Sequence, residues 1–398
     1  MNSNISRLYQ IAQQPERKII GLMSGTSLDG LDIALCLCRG TGADTKIQVL
    51  NFLTMPYDED FRADVKSVFA NKNADLEKVC LLNEVIAIRH AELILQALKQ
   101  WEISPTEVDL IASHGQTIFH APKILHGRQG YPNATLQIGD GDHLAVHTGI
   151  ITIADFRQKH IAAGGEGAPL AVYGDYLVFS AEGENRIMLN IGGIANFTFL
   201  PADCDATKVF STDVGAGNTI MDQFIQLNYP GKYFDENAEM ARKGSLDKAL
   251  LAELISDDFF GKGFPKTTGP ELFNLHYLTA AQERSGTLHL AKEDVLATLC
   301  HFTAAGIIKA VKSIGNIERT KIFMSGGGMH NPLLVELLQT GLPEIEFSTT
   351  EELGINPDAK EAILFALLAN ETIAGEPINF GERRGVPSVC MGKVCFPI

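Results

Sequence analysis

An α/β fold is predicted by three features of this 398-residue chain: short apolar runs closed by glycine turns, stretches with helical spacing between them, and a strand–turn–strand order that occurs twice. The first runs are Ile19–Met23, Leu31–Cys38 and Lys46–Thr54, with Leu31, Ile33, Leu35 and Leu37 on one face, which reads as an antiparallel meander. Residues 81–101 place Leu82, Val85, Ile86, Leu93 and Ala97 along one helical stripe, and a strand is expected at Val108–Ser113. The order restarts at RIMLNIGGIANFTFL, followed by KVFSTDVGAGNTIMDQF as strand, glycine turn and helix. A third unit, KIFMSGGGMHNPLLVELL, has a strand, three glycines and a helix opened by Asn331 with Pro332 at its first position. NPDAKEAILFALLAN is apolar on nearly all sides beyond Glu361, as a buried helix would be.

A chain this long exceeds one ordinary core, so two domains are expected, with a boundary near Asp155 where a strand at Ile150–Ala154 meets AAGGEGAP. The first would hold residues 1–155 together with about 378–398, the second residues 156–377. A net charge of −15 excludes non-specific attraction to nucleic acid or an anionic membrane. Seven cysteines without a CxxC pair or clustered histidines suggest reduced thiols, as in a cytoplasm, and no zinc site. The polar N-terminus up to Arg17 reads as an extension before the fold, and no uninterrupted apolar stretch reaches membrane-spanning length.

Glycine turns after strands let the chain approach a phosphate closely, and a following helix N-terminus adds partial positive charge. Three such turns on one chain favour a nucleotide cradle, although each alone is only a turn. SGTSLDG contains no lysine and leads into a strand, so it is not a Walker A loop; DVGAGN fits only two glycines of the dinucleotide fingerprint. In the hairpin the hydroxyls of Ser24, Thr26 and Ser27 and the turn amides can bind phosphate oxygens. Asp29 and Asp32 can hold Mg²⁺, which favours carboxylate and water oxygens; the alternative is a plain hairpin turn with Asp29-Gly30 at its corner. Asp213 ends a strand before DVGAGN, where a carboxylate can serve as general base or merely cap a turn. His114 and Gln116 of SHGQT lie at a strand's C-terminal edge, where α/β folds place ligands, although a lone histidine there reads first as a hydrogen-bonded structural residue. ADFR sets Asp155 and Arg157 on one face of an extended segment, as an ion pair or with Arg157 as a carboxylate clamp.

Together GLMSGTSLDGLDIAL, ASHGQTIFH, LQIGDG, ADFR, GGEGAPL, LNIGGIANFT, DVGAGNTIMD, PKTTGPELFN, SGGGMHNP and DAKEAILFALLAN, in order over nearly the whole chain after Lys18, resemble the 1,6-anhydro-N-acetylmuramic acid kinase family. That family lies within the sugar kinase, Hsp70 and actin superfamily. The resemblance implies a two-lobed ATPase fold, each lobe a mixed sheet flanked by helices, with an interlobe active-site cleft. It implies that ATP and water act on the anhydro-amino sugar, opening its bridge and phosphorylating O6. By residue-wise match, Gly25, Thr26, Ser27, Leu28, Asp29, Gly30, Leu31 and Asp32 would contact ATP phosphates and Mg²⁺, with Asp29 and Asp32 as metal ligands. Asp213 would be the base, Gly215, Gly217 and Asn218 would line the nucleotide, and Gly326, Gly327 and Gly328 would lie near the nucleoside. Arg157 and Glu361 would hold the sugar, with His114, Gln116 and Asp155 in the same site. A homodimer is implied as well. The chain departs from the family's frequent DTGPGN in having Val214 and Ala216, which removes a hydroxyl and a stiff residue from the turn.

Other classes stay open at this stage. A superfamily kinase for another sugar would keep the ATP turns and lose the roles of Arg157 and Glu361. A non-catalytic ATP-dependent switch protein would be expected to carry an interaction tail after the last helix, and a DNA-binding relative a basic helix-turn-helix segment; the sequence has neither.

Overall fold

The computed structural model describes every residue except Thr26, Ser27, Asn316, Arg383 and Arg384. The chain divides into two compact units, Met1–Phe179 with Asp358–Ile398, and Ser180–Pro357. The first unit is built on strands β1 (Glu16–Ser24), β2 (Gly30–Arg39), β3 (Lys46–Pro56), β4 (Leu110–Ala121), β5 (Ala134–Ile138) and β6 (Thr152–Ala154); the second on β7 (Asn185–Ile191), β8 (Ile194–Leu200), β9 (Phe210–Ala216), β10 (Thr320–Ser325) and β11 (Glu346–Thr349). The last strand, β12 (Lys393–Cys395), returns to the first sheet.

The two sheets share one topology. In the first the order is β3-β2-β1-β4-β6-β12 with β5 on β4, and in the second β9-β8-β7-β10-β11. Each has an antiparallel meander, β1–β2–β3 or β7–β8–β9, whose first strand pairs in parallel with the next strand of the sheet. The expected repeat of element order is therefore a repeat of architecture: an α/β chain with two mixed sheets flanked by helices.

In the first unit, β1 presents alternate residues to two helices, as a strand buried on both faces must. Ile20 and Leu22 pack with Ile94, Ala97 and Leu98 of the helix Leu76–Gln100, whose N-terminus is capped by the Asp75 side chain. Val85, expected on the buried stripe, is 45% exposed. On the other face the helix Lys360–Ala374 comes so close that a Cβ on Gly21 would stand 1.9 Å from the Ala362 carbonyl oxygen. The helix bearing Glu361 thus belongs to the first unit. The sequence-based bounds at 155 and 378 fell inside this unit because no composition shift marks where the chain leaves and re-enters it.

The N-terminal segment also belongs to the fold rather than preceding it. A helix runs over Ser3–Gln13 with Ile11 buried, the Asn4 side-chain amide donates to the Pro397 carbonyl at 2.8 Å, and the buried Arg17 donates to Asn370 Oδ1 at 2.7 Å. Polar composition concealed this, since the helix buries so few of its residues.

In the second unit, the helix Lys292–Lys312 lies in the core, with Ala304, Ile307, Ala310 and Val311 against Ile187, Leu189 and Val214. By length and composition alone this helix is apolar enough to cross a membrane, although charged and polar residues interrupt its apolar run. Its most apolar window is 72% buried within the protein, as expected of a core helix.

Candidate active site

The phosphate-hairpin candidates lie in the turn between β1 and β2; Thr26 and Ser27 lie outside the described residues. Leu28 has φ +56°, the left-handed region that ordinary residues rarely enter, and its side chain is buried with Val65, Ile86 and Ile118. Its side chain and that of Leu31, also a core residue, are therefore anchors rather than ligand contacts. Gly30 is required for a different reason: a Cβ there would meet the Met55 carbonyl oxygen at 2.6 Å.

Beneath the turn runs a buried chain of polar groups. Ser24 Oγ donates to Gln116 Oε1 at 2.5 Å and lies 2.8 Å from the Tyr57 hydroxyl, which lies 2.8 Å from His90 Nε2. Gln116 Nε2 in turn donates to the Gly25 carbonyl at 3.3 Å. Gln116 thus supports the hairpin from below. Burial holds His90 neutral, lowering it to about 3.

Asp29 is exposed and Asp32 half-buried. Burial raises the Asp32 carboxyl above its usual range, a 2.6 Å hydrogen bond donated by Thr54 Oγ1 opposes the shift, and the charges of Asp29, Glu361 and Asp358 add to it. A divalent cation would relieve this mutual repulsion, so the donors suit Mg²⁺ held by one or two carboxylates with the rest of its shell supplied by water or substrate. Among the described residues no three His, Cys, Asp or Glu side chains form a ready metal cage.

Arg157, His114 and Glu361 are brought together. Between β1 and β4 the pairing slips, Leu22 facing Ser113 but Ser24 facing Gln116, so His114 and Gly115 together stand against the single residue Met23, an irregularity that re-aims the strand end. Arg157 Nε donates to His114 Nε2 at 3.0 Å and Nη1 donates to the Gly167 carbonyl at 2.6 Å. His114 is therefore a neutral acceptor; burial first, then the Arg157 charge, hold it well below the ordinary histidine value. Burial also lowers Arg157, and Glu361 opposes that shift. Glu361 keeps solvent access yet stands among enough protein to push its carboxyl up, against the pull of Arg157 and Lys360. His114 also packs on Phe365, one turn along the Glu361 helix, with ring centroids 4.9 Å apart.

Asp155 stands apart from this group. Arg157 lies in a helix, Phe156–Ala162, rather than an extended segment; Asp155 precedes it at φ 56°, and its carboxylate pairs with Lys393 of β12. The expected Asp155–Arg157 pair is thereby replaced by two separate contacts.

In the second unit the turns at the ends of β7, β9 and β10 converge. Gly217 N, Asn218 N and Thr219 N donate to the carbonyls of Gly193, Gly192 and Gly193 at 2.9, 2.8 and 3.1 Å. The amides expected to face a phosphate at Gly217 and Asn218 are thus already taken. Gly326, at φ +81°, sits where a Cβ would meet Asn190 Oδ1 at 2.6 Å, and a Cβ on Gly327 would stand 3.7 Å from Asn218 Nδ2. Asp213 lies beside a bulge: Asn196 faces Asp213 and Ala195 faces Gly215, leaving Val214 as the extra residue. Its Oδ2 accepts from the Thr268 amide at 2.9 Å, and its own amide donates to the Lys266 carbonyl at 2.9 Å. Burial raises the Asp213 carboxyl, the Thr268 hydrogen bond opposes this, and Glu271 adds to it.

The profile of the anhydro-N-acetylmuramic acid kinases matches residues 17–397. The chain belongs to this family. A relative named anhydro-N-acetylmuramic acid kinase from Pseudoalteromonas atlantica is 53% identical with 100% of both chains covered, and one from Caldanaerobacter subterraneus subsp. tengcongensis is 38% identical over 98% of this chain and 100% of its own. Among solved structures, the (R)-2-hydroxyglutaryl-CoA dehydratase component A of Acidaminococcus fermentans covers 91% of this chain and 100% of its own at 13% identity with a TM-score of 0.42, a likeness too remote to carry an argument.

As a member of the anhydro-N-acetylmuramic acid kinases, the chain departs from the frequent turn pattern without exposing new chemistry. Val214 is fully buried among Ile187, Leu189 and Phe197, and Ala216 is buried beside Ile220. Sequence reasoning missed Thr268, Tyr57 and His90. Thr268 lies in the segment PKTTGPELFN, whose residue types alone point to no role. Tyr57 and His90 carried no local signal, because only the packing of three distant segments makes them neighbours.

Proposed function

We propose that this chain uses ATP to phosphorylate O6 of 1,6-anhydro-N-acetylmuramic acid while adding water across the anhydro bridge, giving N-acetylmuramic acid 6-phosphate and ADP. The observation that carries the reading is Asp213: a half-buried carboxylate beside the bulge in the middle of β9, raised above its usual range by burial, with one oxygen fixed by the Thr268 amide and the other left to accept a proton. In this reading water attacks C1 and Asp213 takes its proton. The C1–O6 bond breaks with its electrons going to O6, and O6 displaces ADP from the γ-phosphorus.

The remaining residues fit supporting roles. Two of the Arg157 N–H groups are spent on His114 and Gly167, which fixes the guanidinium plane and leaves the rest of its fork for the sugar's carboxylate. Glu361 accepts hydrogen bonds from the sugar. Gly25 to Asp32 cradle the phosphates, Asp29 and Asp32 hold Mg²⁺, and that ion supplies charge neutralisation on the transferring group. Gly215, Gly217 and Gly326 to Gly328 approach the nucleotide through lack of side chains more than through amide donation, and Asn218 borders it with its carboxamide, which donates to the Ile191 carbonyl at 3.3 Å. The first unit then serves phosphate and sugar, the second the base and nucleoside. A cytoplasmic homodimer belongs to the same reading, and light scattering tests the dimer.

The deciding experiment incubates the protein with Mg-ATP and the anhydro sugar in ¹⁸O-water. Mass spectrometry is expected to find label at C1 and phosphate on O6. Unchanged sugar, or phosphorylated sugar without label, would overturn the mechanism.

A further inference from the structure

The second unit holds a cationic cavity that the proposed reaction does not use. It has a volume of about 130 Å³ and is lined by Lys262, Lys266, Lys309, Phe260, Phe264 and Ser313 among others. That is well above the roughly 15 Å³ at which a cavity of this kind admits one water, so there is room for a phosphate-sized group. In a chain of net charge −15, three lysines converging on one small cavity run against the overall field.

Lys266 is the unusual member. Its side chain is buried, 8% exposed, and the charges it feels are Lys309 and Lys262, both repulsive. Its ammonium donates to the Phe259 carbonyl at 3.0 Å and lies 4.4 Å from the Phe259 ring centroid and 5.7 Å from that of Phe264. Those contacts ease the burial of one cation. They supply no counter-charge for three, and an ammonium buried beside other cations weakens the fold unless an anion joins it. Ser313 adds little, since its hydroxyl donates to the Lys309 carbonyl. The donors available to an occupant are thus ammonium groups, point charges suited to phosphate oxygens.

We infer that this cavity is a binding site for a phosphate-type dianion, either free phosphate or the phosphate end of a phosphomonoester. The site connects to the reaction centre through one short segment: the Lys266 carbonyl accepts from the Asp213 amide, and the amide of Thr268, two residues on, donates to the Asp213 carboxylate. An anion on Lys266 would therefore stiffen the strand that holds the base.

The test titrates the full chain, saturated with a magnesium complex of a non-hydrolysable ATP analogue, with inorganic phosphate and separately with glycerol 3-phosphate by calorimetry. Saturable one-to-one binding is expected, weakened at least tenfold in a Lys262→Gln/Lys309→Gln double variant, whose changes are on exposed side chains. Binding of phosphate alone identifies the free anion as occupant; binding of both extends it to phosphomonoesters. No saturable binding, or equal affinity in the double variant, overturns the inference. As a second reading, phosphate is expected to raise the melting temperature of the wild type and not of the double variant; an equal rise in both also overturns it.

Discussion

The turn between β1 and β2 and the turn between β7 and β8 occupy the same place in two sheets of the same topology, yet they are opposite in chemistry. The Gly192-Gly193 turn spends its carbonyls on three amides at the start of the helix Thr219–Asn228, so backbone donors and acceptors cancel there. The β1–β2 hairpin instead carries Asp29 in its turn and Asp32 on β2, and the Asp32 carboxyl is raised by burial and by its acidic neighbours. It rests on the Gln116–Ser24–Tyr57–His90 chain. A duplicated topology thus fixes where turns fall, while the side chains and the next element decide whether a turn is closed on itself by backbone groups or carries carboxylates.

The largest effect expected is that of Asp213→Asn, which removes the proposed base while keeping the Thr268 contact possible. Turnover should fall on the order of 10³-fold or more, with nucleotide binding measured by calorimetry largely kept. Loss of nucleotide binding instead would make Asp213 part of the cradle, and the contrast between the two turns would blur.

Gly217→Ala should break the self-closed turn. Its Cβ would stand 2.2 Å from the Gly192 carbonyl oxygen, backbone that cannot swing aside. A stability loss of about 3 kcal/mol is expected in denaturant titrations. A neutral result would show that the amide–carbonyl lock between the two glycine turns is dispensable.

Acid should separate the two units. His90, lowered to about 3, His160, lowered to about 4, and His114, lowered well below the ordinary value, all lie in the first unit and are held neutral mainly by burial. Their folded values lie below the unfolded value near 6.5, so their contribution is fully present above that pH. It is lost as pH falls toward the folded values, at roughly 1.4 kcal/mol per pH unit for each histidine. Hydrogen exchange between pH 7 and pH 4.5 should find protection lost first in the first unit's sheet. Earlier loss in the second unit would mean that these histidines do not govern acid stability.

The smallest effect is reserved for Val214→Thr, which restores the hydroxyl frequent in the family. Because Val214 is fully buried in an apolar cluster, the change should cost about 1 kcal/mol in thermal unfolding. It should leave the nucleotide KM unchanged. A lowered KM would show that this position reaches the ligand after all.

Much of the fold was legible locally. The strand meander, the glycine turns and the Asn331–Pro332 helix start followed from period-two alternation, turn residues and capping chemistry, which act over a few residues. Asp213, Arg157 and Glu361 were legible as chemistry on motif text. Their settings were not. Asp155 looked like the partner of Arg157 because two residues separate them, but a left-handed residue and a helix start turn them to different neighbours. The amides of Gly217 and Asn218 looked open until the β7–β8 turn was seen to occupy them.

By itself the sequence determined the period of each element, the positions where only glycine fits and the kinds of charge the chain can offer, because these depend on neighbouring residues along the backbone. Only the tertiary structure decided that the Glu361 helix joins the first unit, that His114 is a neutral acceptor for Arg157, and that three lysines share one cavity. Those outcomes depend on segments 43 to 353 residues apart meeting at hydrogen-bond or Coulombic range, where burial sets protonation and partners, and no local pattern encodes such meetings.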